Sequence, residues 1–215
     1  MFKASLALLS GALCLCAQSP AGKAPGNELQ GVPARAAPTD YPSQAKAGPL
    51  TIAAEFKGHF VPTPEKTFTT EDFVVVEVAL FGPEGTKTQL SPDQFFIRIN
   101  GKKTPSPSES YLQMMSSLKD PEWAPPASDK GSKTTFNAGG GGNGNDPPPA
   151  PVHPPPEVMR AMFLKVQHAA LAEGDRTLPR AGLIFFPYHG QTKSIRKMEL
   201  LYKGPAGQAS LDLEP

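Results

Sequence analysis

The sequence predicts a mainly β protein, an antiparallel β-sandwich interrupted by a long insertion that is rich in proline and glycine and carries one helix. Three observations predict this fold. The chain of 215 residues contains 26 Pro and 20 Gly, which together make up about a fifth of it, where about 12% is usual. Most apolar residues fall in short runs with the two-residue period of strands. Turn-forming residues separate these runs at spacings typical of hairpins.

The N-terminal residues have the pattern of a secretory signal peptide. Lys3 precedes an apolar run at residues 4–17, which is too short to cross about 30 Å of hydrocarbon as a helix but has the length of a signal-peptide core. We therefore expect residues 1–17 to be a signal peptide, with Ala21 as a second possible cleavage site. The mature protein is then exported to the periplasm or the extracellular space.

Both cysteines lie in this leader. Cys14 and Cys16 would be removed with it, so we expect a mature chain without disulfides. A membrane-anchored lipoprotein acylated at Cys16 is the second choice, because the bulky Leu15 stands where lipoprotein signals have a small residue. Loss of Lys3 would leave 20 basic and 20 acidic residues. This balance argues against nucleic acid as a partner, and membrane contact is expected only if Cys16 is lipidated.

Beyond the leader, the sequence divides into a linker and one domain. Residues 18–47 are rich in Ala, Pro, Gly and Gln without periodicity and are predicted to be a flexible linker. Residues 48–215 are predicted to form the sandwich. The strongest predicted strand is 73–81, a valine-rich run flanked by phenylalanines. Further strands are predicted at 50–56, 95–99, 183–186, 195–202 and 209–213.

The insertion that interrupts the sandwich occupies residues 104–178. Its glycine and proline runs predict a disordered part at about 124–155. A helix is predicted at about 157–172, because proline and glutamate begin it and a glycine follows its apolar period. The apolar stripe of this helix consists of Met159, Phe163, Val166 and Ala170.

The strand 73–81 has two apolar faces. The wholly aliphatic face is expected in the sandwich core and consists of Val74, Val76, Val78 and Leu80. The other face is interrupted by a single charge and consists of Phe73, Val75, Glu77, Ala79 and Phe81. If exposed, it would be an apolar patch of a kind that monomers rarely leave open. We therefore expect the helix of the insertion to cover this face or an end of one sheet.

The strands together resemble a known family. The segments DFVVVEVALFG, LSPDQFFIRINGKK and LPRAGLIFFPYHGQTKSIRKMELLYKG resemble the small immunoglobulin-like (telokin-like) domains of secreted bacterial proteins. The likeness covers roughly residues 48–103 and 179–213 and lies in the order and texture of the strands. It implies an immunoglobulin-like antiparallel β-sandwich of undetermined function, and it transfers no site residue. The insertion at 104–178 departs from the family pattern.

The sequence lacks motifs for catalysis or metal binding. It has no Gly-x-Ser-x-Gly elbow and no His-Glu-x-x-His, and its glycine run at 139–142 lacks the Lys and Ser/Thr of a phosphate-binding loop. We therefore expect no enzyme, no cofactor and no metal site. No two histidines are at metal-ligand spacing; these are His59, His153, His168 and His189. The carboxylates nearest to forming a catalytic pair lie at predicted strand ends; these are Glu55, Glu71, Asp72 and Asp93.

Three aromatic residues of the insertion are candidate binding residues, namely Tyr111, Trp123 and Phe136. Aromatic side chains on the loops of a rigid sandwich can bind carbohydrate or peptide. The competing interpretation, which we favour, is that they pack back onto the sheet and anchor the insertion.

These observations predict an exported, non-catalytic module that mediates protein binding or assembly in the cell envelope, as a monomer with an envelope protein for its partner. One alternative is a carbohydrate- or peptide-binding module, which a groove containing Trp123 would favour. Another is a metal-handling or catalytic periplasmic protein, which two histidines beside a carboxylate would favour. The methionines that suggest copper are Met114, Met115, Met159, Met162 and Met198. Of these, Met159 and Met162 also fit core filling.

Overall fold

The computed structural model describes residues 31–124 and 154–215. The strands are β1 (Ser43–Ala47), β2 (Leu50–Gly58), β3 (Phe60–Pro62), β4 (Thr67–Thr70), β5 (Phe73–Phe81), β6 (Lys87–Leu90), β7 (Phe95–Ile99), β8 (Ser106–Pro107), β9 (Leu118–Lys119), β10 (Gly174–Thr177), β11 (Arg180–Pro187), β12 (Met198–Gly204) and β13 (Gly207–Leu213). The α-helices are α1 (Tyr111–Met114) and α2 (Pro156–Ala169). Strands β5 and β7 have the predicted bounds, and the other predicted strands are present with ends shifted by a few residues.

Two four-stranded antiparallel sheets enclose the main core. Their strand orders are β1-β2-β5-β11 and β13-β12-β7-β8. The inner faces meet in one apolar cluster, to which the first sheet contributes Ile52, Val76 and Ile184, and the second Ile97 and Leu200. The mainly β prediction is therefore confirmed, with antiparallel sheets packed on a common core. Two smaller sheets, β3-β4-β9 and β10-β6, complete the set of strands.

Strand β5 is buried on both sides. Its aliphatic face packs in the main core as predicted, with Val74, Val76, Val78 and Leu80 all inside the cluster. On its outer face, Phe73 and Val75 belong to a second apolar cluster and Ala79 to a third. Burial on both faces explains why the strand is an almost continuous apolar run rather than an alternating one.

The helix α2 covers part of the outer face of the first sheet, as predicted. Its Met162 and Val166 pack in the second cluster with Val75 of β5 and Phe185 of β11. The small sheet β3-β4-β9 contributes Phe68 and other residues to the same cluster. One half of the apolar outer face is thereby removed from solvent.

The predicted phase of this helix is wrong. The buried side chains of α2 are Met162, Val166 and Ala169, whereas Met159 and Phe163 are only half-buried. By the 3.6-residue period, the buried stripe is turned roughly 60° from the predicted one. The phase depends on what lies opposite the helix, and the apolar period of the sequence does not contain that information.

The helix ends earlier than predicted because the following chain lies against β11. A Cβ placed on Gly182 would be 2.3 Å from Cα of Leu171, so only glycine fits at this point of β11. The backbone N–H of Leu171 donates to the carbonyl of Leu183 at 2.9 Å. This bond is part of an extended connection, so residues 170–172 leave the helix.

Residues 31–47 belong to the folded domain, and the predicted linker 18–47 is therefore wrong over this range. Strand β1 pairs with the first half of β2. Tyr41 is only 4% exposed and packs in the third cluster with Ala53, Ala79 and Ala181. Tyr41 contacts Ala79 and Ala181, which lie far along the chain, whereas β1 forms a hairpin with the neighbouring β2. The apolar residues of β1 are only alanines, so its alternation is too weak to predict a strand. Residues 18–30 lie outside the described ranges.

An ion-pair network explains the charge in the middle of the outer face of β5. The Oε2 atom of Glu77 lies 3.0 Å from Nζ of Lys57 and 3.5 Å from Nη2 of Arg35. Glu55, its cross-strand neighbour in β2, pairs with the same two cations. Burial alone would raise the pKa of Glu55, but hydrogen bonds from Lys57 and Arg35 hold it below its usual value. Glu55 is thus a half-buried partner within a strand rather than a solvated strand end.

The described ends of the insertion are built into the sheets. β8 pairs with β7, β9 with β4, and β10 with β6. The predicted disordered part falls almost entirely on residues 125–153, and the predicted signal peptide on residues 1–17; both lie outside the described ranges. Neither α1 nor α2 is long and apolar enough to cross a membrane.

Candidate functional site

A concentration of positive charge at one end of the sandwich is the candidate site. Strands β7 and β12 pair antiparallel with Ile99 opposite Met198, so the residues after β7 meet the residues before β12. Both of these segments are basic. We name as the basic end the five cationic side chains that line its clefts: Arg98, Lys102, Lys103, Arg196 and Lys197.

Asn100 holds the two basic segments together. Asn100 and Gly101 have positive φ angles of 52° and 71°, as in a type I′ turn. The Oδ1 atom of Asn100 accepts hydrogen bonds from the backbone N–H groups of Arg196 at 2.7 Å and Lys197 at 3.3 Å. Its Nδ2 donates to the carbonyl of Ser194 at 3.0 Å. The turn and the loop before β12 are therefore one hydrogen-bonded unit.

The basic end carries more positive charge than its own carboxylates balance. Arg98 pairs with Glu199, and Nζ of Lys197 lies 3.9 Å from Oδ1 of Asp212. A hydrogen bond from Ser210, together with the Arg98 guanidinium, holds the pKa of Glu199 below its usual value against the effect of burial. The remaining cations are exposed and form no ion pair with another described residue; they are Lys102, Lys103 and Arg196.

Two open clefts meet at this end. The first runs between Arg98, Lys102, Lys103 and Glu199, the second between Ser194 and Arg196, and both include Gly101 and Lys197. A Cβ placed on Gly101 would have no atom within 4 Å, so the surface between the two clefts is open. Hydrogen-bond donors and positive charge line them, without a nucleophile and base in contact. Such a lining is suited to holding an anionic group.

Sequence reasoning missed the basic end because it summed charge over the whole chain. The available signal was position: Lys102 and Lys103 follow strand β7 closely, and Arg196 and Lys197 directly precede β12. Antiparallel pairing of these two strands necessarily brings the two basic pairs to the same end of the sheet.

A third cleft brings two histidines and a carboxylate together, the combination that would favour a metal site. It is lined by His59, His189 and Glu71. Both ring nitrogens of His59 face backbone carbonyl oxygens, Nδ1 at 2.7 Å from Phe73 and Nε2 at 2.9 Å from Gly190. The ring therefore offers no nitrogen to a metal ion and instead joins the loop after β11 to the start of β5.

Metal ligands do not cluster anywhere in the described part of the chain, the third cleft included. Within residues 31–124 and 154–215, no three His, Cys, Asp or Glu side chains lie close enough to share a metal ion. Met114, Met115, Met159 and Met162 belong to or pack against the second apolar cluster, and Met198 lies in the main core. These methionines fill apolar space, as the core-filling interpretation expects.

The candidate aromatics do not line the clefts described above. Tyr111 packs against the second apolar cluster, with its ring centroid 5.7 Å from that of Phe163, and so anchors α1 to α2. Trp123 is half-buried near the end of a described range, and Phe136 lies outside those ranges. Binding of a ligand through these three residues stays a prediction.

Comparison with known proteins adds no relative. No protein-family model matches the chain, and neither the curated proteins nor the solved structures include a significant match.

Proposed function

We propose that this protein is an exported, non-catalytic module with an immunoglobulin-like β-sandwich fold that binds another protein in the cell envelope. Two four-stranded antiparallel sheets around one core support the fold. The single observation that carries the binding function is the basic end, where Lys102, Lys103 and Arg196 are exposed without an ion pair to a described residue.

The basic end is not explained by folding. Like charges held on adjacent segments repel each other and destabilise the folded state unless a counter-charge is near. Within the described chain, the carboxylates of Glu77 and Glu55 are balanced by Lys57 and Arg35. A binding partner with negative charge would supply the counter-charge that the basic end lacks.

Photocrosslinking in the native cells tests this function. The photoreactive residue p-benzoylphenylalanine replaces Lys103 at the basic end, and in a matched control it replaces Lys87, which is exposed on the edge strand β6. We expect a discrete crosslinked protein from position 103 and none from position 87. The same adducts from both positions, or no adduct from position 103, would contradict the proposal.

Cell fractionation tests the proposed export of the protein. We expect the protein in the periplasmic or extracellular fraction, with an intact mass that corresponds to loss of the first 17 to 21 residues predicted from the sequence. Recovery of the full-length chain in the cytosol would contradict export.

A further inference from the structure

We propose that the basic end binds an extended acidic segment of the partner, a short run of Asp and Glu side chains that lies across both clefts. This inference rests on the proposed function, because it names the chemistry of the segment that the envelope protein would present. Three features support it: the charge of the clefts, their shape, and the hydrogen-bonded turn and loop that form them.

The two clefts adjoin, and cations line each of them. They share Gly101 and Lys197, so an extended chain bound in the first cleft beside Lys102 and Lys103 can continue past the turn toward Arg196. The lack of any atom within 4 Å of a Cβ at Gly101 leaves the middle of the path open. An extended polypeptide can place successive carboxylates along such a path, whereas a single small anion would use only one part of it.

The turn and the loop that form these clefts are held together by hydrogen bonds before a partner binds. The Asn100 side chain accepts two backbone N–H bonds from the loop before β12 and donates one to Ser194. Its own backbone N–H donates to the carbonyl of Lys197 at 2.8 Å. A preorganised site loses less conformational entropy on binding, so a few charge contacts can give useful affinity.

An anionic membrane fits this surface less well than an acidic peptide. Glu199 lines the first cleft, and Asp212 lies 3.9 Å from Lys197, so a flat anionic surface would also meet two carboxylates. A peptide can instead pass beside them. The large exposed apolar side chains of the described chain are Phe60, Leu112 and Leu164, on β3, α1 and α2. The turn at Gly101 therefore has no apolar anchor for a bilayer.

Fluorescence anisotropy with the mature protein tests the inference. The probe is a fluorescein-labelled peptide of about ten residues that alternates Glu and Ser, with a Gln/Ser peptide of the same length as the uncharged control. At about 20 mM NaCl we expect saturable binding of the Glu peptide only, and weaker binding at about 200 mM, because salt screens exposed charges. Failure of the Glu peptide to bind at low salt would overturn the inference.

Two charge-reversed variants locate the binding. Lys102→Glu with Arg196→Glu changes the basic end, and Lys46→Glu with Lys87→Glu makes the same change of net charge on exposed residues of β1 and β6. We expect affinity for the Glu peptide to fall at least about tenfold in the first variant and to change little in the second. Equal loss in both would show a bulk charge effect and contradict the site. Equal midpoints of urea unfolding establish that the variants remain folded.

Two further outcomes separate this inference from the proposed function. Phosphatidylglycerol vesicles that bind the mature protein, while the Glu peptide does not, would overturn the inference in favour of a membrane. If position 103 crosslinks an envelope protein but the Glu peptide fails to bind, the acidic segment is wrong and the proposed function stands. If the peptide binds but no envelope protein is crosslinked, the envelope partner is wrong and the peptide chemistry stands.

Discussion

At the scale of single residues, the main core contains a polar atom without a partner. The Tyr202 side chain is 0% exposed, and its hydroxyl has no hydrogen-bond partner within the described structure. Burial raises the pKa of this hydroxyl, since the phenolate would lose its hydration. A buried donor left unpaired costs about 1–3 kcal/mol. We expect Tyr202→Phe to increase the free energy of unfolding in urea by up to about 1 kcal/mol.

Tyr41 is the matched control for this prediction. It is also buried, but its hydroxyl oxygen accepts a hydrogen bond from the backbone N–H of Arg35 at 3.2 Å. We expect Tyr41→Phe to decrease the free energy of unfolding by about 0.5–1.5 kcal/mol, the net value of such a bond. If Tyr202→Phe lowered stability as much as Tyr41→Phe, a buried water would be satisfying the Tyr202 hydroxyl, and the prediction would be wrong.

At the scale of elements, the phase of α2 can be measured by truncating its side chains. Val166 is 0% exposed and Leu164 is 43% exposed, although both are aliphatic and lie within one turn of the helix. We expect Val166→Ala to lower the free energy of unfolding by about 2 kcal/mol, from two buried methyl groups and the cavity they leave. We expect Leu164→Ala to change it by no more than about 0.5 kcal/mol.

The half-buried Phe163 gives an intermediate case on the same helix. Because its ring packs on Tyr111 and is also partly in solvent, Phe163→Ala should cost about 1–2 kcal/mol, less than the 3–5 expected for a fully buried phenylalanine. Urea unfolding of the three variants gives their order. A cost for Phe163→Ala that exceeds that of Val166→Ala would favour the phase predicted from sequence over the observed one.

The N-terminal segment is the second element that can be tested. A chain that begins at Gly31 keeps β1, the Tyr41 contacts and the Arg35 ion pairs, whereas a chain that begins at Gly48 loses all of them and uncovers Ala53 and Ala79. We expect the first chain to unfold at the same urea concentration as the mature protein. The second should lose more than about 5 kcal/mol, the stability of many small domains. Equal midpoints for both chains would restore the linker interpretation.

At the scale of the whole molecule, the sequence predicts what is local and misses what depends on distant contacts. The bounds of β5 and β7 are predicted correctly, because each is an apolar run that ends at turn residues. The existence of α2 follows from its period, but its phase depends on the residues of β5 and β11 that lie opposite it, and its end on the close approach of Leu171 to Gly182. The order of residues 31–47 comes from the burial of Tyr41 against the distant Ala79 and Ala181, and from a β1–β2 hairpin whose alanines give only a weak apolar alternation.

In the candidate site, too, the sequence misses what depends on contacts between distant segments. A net charge near zero conceals the basic end, because charge summed along the chain carries no information on which segments meet in space. Once β7 and β12 are known to pair, Lys102 and Arg196 are necessarily neighbours of one turn. By contrast, the loop aromatics were predicted from residue type alone, and Tyr111 proves to pack against the protein's own helix.

The charge network as a whole sets how stability depends on pH. The carboxyl groups of Glu55, Asp120 and Glu199 all have a pKa below the usual value, although burial alone would raise it. Hydrogen bonds lower the pKa in each case. The donors are Lys57 and Arg35 at Glu55, Lys66 at Asp120, and Ser210 and Arg98 at Glu199. At acid pH the unfolded chain therefore binds more protons than the folded one, and stability must rise with pH in that range.

We expect the free energy of unfolding to be nearly constant above about pH 5 and to fall steadily as the pH drops through about 4 and below, because these carboxylates become protonated and lose their partners. Urea unfolding at a series of pH values measures this. Glu199→Gln should lower stability at neutral pH and flatten the acid limb, since its neutral amide no longer titrates. The control is Glu84→Gln, an exposed residue of the turn after β5, which should leave the profile unchanged. An acid limb that keeps its full slope in Glu199→Gln would mean that the Arg98–Glu199 pair contributes no stability to the folded sandwich.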